Sequence, residues 1–203
     1  MITIAVQAGG KSSRIGGDKA LIRLAGTPLI ERVIGRIDGL ADEILITTNR
    51  PETLIHLNLR MAPDEFPGAG ALHGLKTALS AAHGEFVLVL SCDTPFVSRK
   101  LLEYLLSRAH EADVIVPKHG DKYEPLQAVY NRERCLPAVE AALESGERRM
   151  VSFYPQLHVL PIEEPILSEL DPSGLGFFNV NTTEDLERAE EIIKQGAPFT
   201  HPS

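Results

Sequence analysis

Cysteine is nearly absent from this sequence: only Cys92 and Cys135 occur in 203 residues, with no CxxC and no Cys/His ligand spacing. That argues against both a disulfide framework and a structural zinc site. Long apolar runs are missing too. None approaches the roughly 20 residues that cross a bilayer, and the N-terminus lacks the basic and apolar regions of a secretory signal. The expectation is a cytoplasmic protein with no membrane contact, so the sequon Asn181-Thr182-Thr183 reads as coincidence. Positive charge is in short supply, with 20 Lys and Arg against 28 Asp and Glu and a net charge of −8. General nucleic-acid binding, which needs a basic face, is therefore not expected. No histidine sits in a metal-ligand or nucleophile pattern.

The rest is ordinary for one α/β domain: 43% hydrophobic and 24% charged residues in a chain long enough to bury a core. Short apolar runs alternate with amphipathic stretches, the pattern of a largely parallel sheet covered by helices. Strands are predicted at 2–7, 43–47, 58–62, 86–91 and 114–117, with an extended segment over 124–130 and short strands at 156–160 and 177–180. Helices are predicted from a Thr27 cap with Pro28 in the first position, then over 71–82, 98–109, 132–144 and 183–194, followed by a frayed tail. The run over 86–91 is apolar throughout, as a central strand buried on both faces should be.

The most informative stretch is Ala8-Gly9-Gly10-Lys11-Ser12-Ser13-Arg14-Ile15-Gly16-Gly17-Asp18-Lys19, directly after the first strand. Lys11, Arg14 and Lys19 minus Asp18 leave a local charge of +2 inside an acidic chain. Glycines that permit close backbone approach, interleaved with cations, suit a polyphosphate. A relaxed P-loop also matches, since Ala5, Gly10, Lys11 and Ser12 have its spacing. Its helix would then hold Gly16 and Gly17 in the first turns at about 1 kcal/mol each, and Ala5 would lie inside the strand. An extended loop wrapping phosphates, with Lys19 returning at its far end, fits better; a solvated surface loop is the bland alternative. The place of this loop after the first strand, where α/β folds bind ligands, favours function. Asp93 follows the buried strand at 86–91 and is placed to hold Mg²⁺, which prefers oxygen ligands, although an aspartate two residues before Pro95 is also good turn chemistry.

Residues 8–33, AGGKSSRIGGDKALIRLAGTPLIERV, resemble the signature of the molybdenum cofactor guanylyltransferases, the MobA-type nucleotidyltransferases. Further matches follow in order: Thr47-Thr48-Asn49-Arg50, Pro63-Asp64, the turn over 68–75 and Ser91-Cys92-Asp93-Thr94-Pro95. Glu124-Pro125-Leu126-Gln127, Gly146-Glu147-Arg148-Arg149 and Phe178-Asn179-Val180-Asn181-Thr182 complete the set. The resemblance implies a Rossmann-like three-layer α/β sandwich of nucleotide-diphospho-sugar transferase type, with a mostly parallel central sheet. It implies a single domain over 1–203: a nucleotide half (1–117), an acceptor half (118–197) and a tail (198–203). The implied reaction is transfer of GMP from GTP to the phosphate of molybdenum-molybdopterin, with Mg²⁺ and release of pyrophosphate. Proteins that deliver or collect the cofactor are implied as partners. Alternatives are a same-fold enzyme using CTP or another acceptor phosphate, and a nucleotide-binding module without catalysis.

On this resemblance Arg14, Lys19 and Asp93 are the catalytic candidates, with Asp93 as the metal ligand. Gln7, Ala8, Gly9, Gly10, Lys19, Thr47, Asn49, Asp64 and Asp93 fall at the nucleotide, and Gln127, Arg148, Asn179 and Asn181 at the acceptor. The chain departs from the family twice, with Gln7 where leucine is usual and Thr47 where asparagine is common. Asn179 and Asn181 flank Val180, and an extended backbone would direct both amides to one face. Cys92 reads as a small packing residue.

Overall fold

The first apolar run forms β1 (Ile2–Gln7) as predicted. The structure is a computed structural model that describes residues 1–9, 18–64 and 68–196; the predicted frayed tail lies outside the described residues. A 3₁₀ turn over Lys19–Leu21 leads into a hairpin of β2 (Arg23–Leu24) and β3 (Thr27–Pro28). Its two turn residues, Ala25 (φ 46°) and Gly26 (φ 84°), are both left-handed, as a two-residue hairpin requires. This hairpin replaces the expected Thr27 cap. Thr27 pairs with Leu24, Pro28 sits at the N-cap position without a side-chain bond, and α1 runs Leu29–Ile37.

Next come β4 (Glu43–Thr47), the short α2 (Pro51–Leu54) and β5 (Arg60–Ala62). The last starts two residues later than expected because Asn58 (φ 51°) is left-handed and closes a 3₁₀ turn. The order continues with α3 (Ala71–Ala81), β6 (Phe86–Ser91), α4 (Arg99–Ser107), β7 (Val114–His119), β8 (Lys122–Tyr123), β9 (Gln127–Asn131) and α5 (Arg132–Glu144). The strand expected over 156–160 starts three residues later, as β10 (Val159–Ile162) after a 3₁₀ turn, Tyr154–Gln156, with its register set by pairing Val159 with Val114. After α6 (Ile166–Leu170), the strand expected over 177–180 is absent. A 3₁₀ turn, Leu175–Phe177, occupies its start, and Val180 N–H donates to the Asp93 carbonyl (2.9 Å). The last helix, α7 (Thr183–Lys194), is held by a capping box between Thr182 and Asp185.

The main sheet has the order β10-β7-β9-β6-β1-β4-β5, with β8 paired to β7. Pairing makes β1, β4, β5 and β6 parallel; β9 is antiparallel to both β6 and β7, and β10 is parallel to β7. All the path strands except β9 therefore point one way. Their C-terminal ends, and the start of β9, share one edge, where ligands of α/β sheets bind.

Alternation along β6 sends Phe86, Leu88 and Leu90 to a core with Ile30, Val33 and Leu102, and Val87 and Val89 to a second core with Leu72, Leu75 and Tyr130. A third cluster of Leu24, Leu29, Phe96, Val180 and Ala189 ties the hairpin to α7.

At the opposite edge Gly84 is pressed against β1. A Cβ there would lie 2.6 Å from the Thr3 nitrogen, a backbone atom that cannot swing aside. Gly84→Ala should cost about 1–3 kcal/mol by overpacking, read as a lower urea midpoint with unchanged slope.

Beside it, Glu43 accepts from the Thr3 hydroxyl (2.6 Å), the His83 amide (3.0 Å) and Arg60 (2.8 Å). Burial raises its pKa, but these bonds together with the His83 ring outweigh that and leave it lowered. A carboxyl depressed by folding stabilises the protein above its unfolded pKa, and that contribution fades as pH falls through the folded value. Stability of Glu43→Gln should accordingly fall less steeply than wild type on acidification below about pH 4.3, measured by urea unfolding across pH.

Candidate active site

The parallel strands deliver their last residues to a cavity of about 630 Å³ at the shared edge. Gln7, Ala8 and Gly9 leave β1 into its wall, Thr47 and Asn49 come from β4, and Asp64 follows β5. Backbone bonds fix these tips: Ala8 N–H donates to the Thr47 carbonyl (2.9 Å) and Cys92 N–H to the Gln7 carbonyl (3.1 Å). Asn49 Oδ1 accepts from the Asp64 amide (3.2 Å), and Thr77 on α3 donates to the Asp64 carboxylate (3.3 Å). The approach to α3 turns through Gly68 (φ 80°) and Gly70 (φ 109°), both in the wall, a backbone that residues with a Cβ rarely adopt.

A charged cluster adjoins this cavity. Lys19 pairs with Asp93 Oδ2 and donates to Asn181 Oδ1 (2.5 Å), so three distant parts of the chain meet at one ammonium. Asp18 and Ser91, next to Lys19 and two residues before Asp93, line the cavity itself. Asp18 also caps the turn that presents Lys19, accepting from Ala20 N–H (3.2 Å). Asp93 is 7% exposed, and its second oxygen, Oδ1, is buried with no hydrogen-bond partner among the described residues. An unshared carboxylate oxygen at a strand tip suits a hard cation that keeps waters and substrate phosphates as its other ligands. Among the described residues no cluster of three or more His, Cys, Asp or Glu forms a cage; a magnesium site of that kind needs none. Burial, then the neighbouring Asp93, pushes the Cys92 thiol up to about 12. It is a packing residue, not a nucleophile.

The acceptor candidates divide. Asn181 joins Lys19. Asn179 instead donates to the Phe177 carbonyl (2.9 Å), which ties its amide nitrogen to the local turn; like Asn181 it is exposed, with Val180 buried between them. Gln127 is 2% exposed and donates to the Gly176 carbonyl (2.5 Å), leaving its Oε1 buried and unpartnered among the described residues. Arg148 is exposed on the turn after α5, outside the cavity wall. Gly10 and Arg14 lie outside the described residues. Sequence reasoning missed Asp18, Arg50 and Gly74 as wall residues. For Gly74 the available signal was a glycine in the first turns of an Ala/Leu-rich helix, a costly choice without a packing reason.

A nucleotide-sized cavity at the strand tips with a lysine–carboxylate pair beside it suits the movement of a nucleotidyl group, and nucleotidyltransferase is the class. The model of the MobA-like NTP transferase domain matches residues 4–159, and the chain belongs to that family. It is 36% identical to a probable molybdenum cofactor guanylyltransferase of Pelotomaculum thermopropionicum, covering 93% of this chain and 92% of that one. It is likewise 36% identical to the molybdenum cofactor guanylyltransferase of Desulfosudis oleivorans, over 96% and 97% of the two chains. Among solved structures, molybdopterin-guanine dinucleotide biosynthesis protein A from Archaeoglobus fulgidus superposes with a TM-score of 0.82 at 30% identity, covering 95% and 99%. The predicted fold, a mostly parallel sheet between helices in a nucleotidyltransferase, is the one observed.

Proposed function

We propose that this protein is a cytoplasmic, Mg²⁺-dependent enzyme that transfers GMP from GTP to the phosphate of molybdenum-molybdopterin and releases pyrophosphate. The observation that carries the reading is the Lys19–Asp93 pair, with one Asp93 oxygen unshared, adjoining a cavity built from strand tips. The names and full-length coverage of the relatives supply the substrates.

The acceptor phosphate is already anionic at neutral pH, so no side chain has to remove a proton. Its oxygen forms the new bond to the α-phosphorus, the α–β bridging bond breaks, and that electron pair leaves with pyrophosphate. What the protein must supply is alignment and opposing charge. Asp93 is the residue to hold Mg²⁺, which when bound neutralises charge on the phosphates. Lys19 turns its ammonium from Asp93 and Asn181 toward the triphosphate, joined by Arg14 from the glycine-rich loop. The nucleoside is assigned to Gln7, Ala8, Gly9, Gly10, Thr47, Asn49 and Asp64, and the acceptor to Gln127, Arg148, Asn179 and Asn181, in a nucleotide half over 1–117 and an acceptor half over 118–197. Cofactor-delivery and molybdoenzyme maturation proteins are the expected partners.

Incubating the protein with molybdopterin carrying molybdenum, Mg²⁺ and each nucleoside triphosphate in turn tests this. Pyrophosphate and a guanine dinucleotide product are expected with GTP. A cytosine product, or binding without turnover, would overturn the reading in favour of a cytidylyltransferase or a non-catalytic module.

A further inference from the structure

We infer that the Gln7 side chain reads the nucleobase, its amide nitrogen Nε2 donating a hydrogen bond to the oxygen at position 6 of guanine. The inference rests on the guanylyl-transfer reading above and names the side chain that would enforce it.

Three observations meet at this residue. Alternation along β1 places Ile4 and Val6 in one core and Ala5 in the core that includes Leu72 and Leu75 of α3, so Gln7 points to the α3 side. There the carboxamide lies against Gly74. A Cβ on Gly74 would stand 2.9 Å from Oε1 and 3.3 Å from Nε2, so the slot exists only because that position is glycine. Gln7 and Gly74 both line the cavity, and Gln7 Nε2 is buried with no hydrogen-bond partner among the described residues.

A buried amide donor left unpaired is costly, and native proteins seldom tolerate one without a use. A leucine at this position would fill the slot with apolar atoms and carry no such cost. A ligand that presents an acceptor removes it once the carboxamide turns Nε2 from its buried place toward the cavity that Gln7 lines. Guanine presents an oxygen at position 6, whereas adenine presents an amino group there. Asp64, in the same wall, is an acceptor-only carboxylate that complements the remaining donors of the guanine edge.

The test is equilibrium binding, without acceptor, of GTP, ITP, CTP and 2-aminopurine riboside triphosphate, which lacks the oxygen at position 6. Wild type should bind GTP and ITP at least tenfold more tightly than the 2-aminopurine compound, about tenfold being the effect of one hydrogen bond lost against a buried partner. In Gln7→Leu that ratio should fall about tenfold, leaving only what the proton on ring nitrogen 1, which the 2-aminopurine compound also lacks, contributes through other acceptors. In Gln7→Glu, which keeps the length and branching of the side chain, it should fall as well, which separates loss of the donor from altered packing. If wild type prefers GTP to CTP yet does not distinguish GTP from the 2-aminopurine compound, the inference is overturned and guanylyl transfer stands. An unchanged ratio in both variants overturns it equally. If wild type prefers CTP, the guanylyl reading itself fails.

Discussion

Asp93→Asn should lower kcat for nucleotidyl transfer by two to three orders of magnitude, the scale of losing one preorganised charge-stabilising group, and added Mg²⁺ should not restore it. The substitution keeps the shape of the side chain and removes half of the oxygen ligand set at a strand tip where no other described carboxylate cluster can take over. It also leaves the Lys19 ammonium beside two neutral amides in place of an ion pair. GTP binding measured without metal should change little, because the cavity wall that includes Gln7, Asn49 and Asp64 is untouched. Mg²⁺-dependent turnover near the wild-type rate would remove Asp93 from the chemistry. Thermal melting accompanies the kinetics, so that turnover is compared only between folded proteins.

The companion result is Lys19→Ala, for which kcat should fall by about two orders of magnitude or more while the dependence on Mg²⁺ persists. Lys19→Arg should recover part of the rate, since the charge is kept but the guanidinium geometry differs. The side chain of Lys19 is 18% exposed and that of Asp93 10%, so truncating the lysine leaves a largely buried carboxylate without its partner and lowers stability as well. The discriminating measurement is therefore the split between kcat and KM for GTP in folded protein. A raised KM with kcat intact would make Lys19 a binding residue only.

Much of this site was legible in the sequence because its parts are local. Glycines directly after an apolar run mark the strand tip that reaches the cavity at Ala8 and Gly9, and an acid after the most apolar run marks another. Such signals depend on neighbours in the chain, so Ile2–Gln7, Phe86–Ser91 and Arg132–Glu144 appear where periodicity placed them. The errors fall where a distant partner or an unusual backbone conformation decides. The segment around Asn179 reads as a strand by alternation, but a turn at Leu175–Phe177 and one backbone bond from Val180 to Asp93 set its course. The Thr27 cap was lost to a hairpin that exists because Ala25 and Gly26 both adopt left-handed conformations. Gln7 stood out only as an unusual residue; its meaning came from Gly74, on a helix that packs across the end of its strand.

The meeting of Lys19 with Asn181 spans 162 positions of the chain, and the small apolar cluster that holds them together needs both the early hairpin and α7. During synthesis the earlier strands can pair while the ribosome is still adding residues. Asn181 and the helix behind it emerge after every strand of the sheet, so a nascent chain can own the whole sheet and still lack the second partner of the lysine. A polypeptide broken off before residue 180 would carry Lys19 and Asp93 but not the amide that accepts from Lys19.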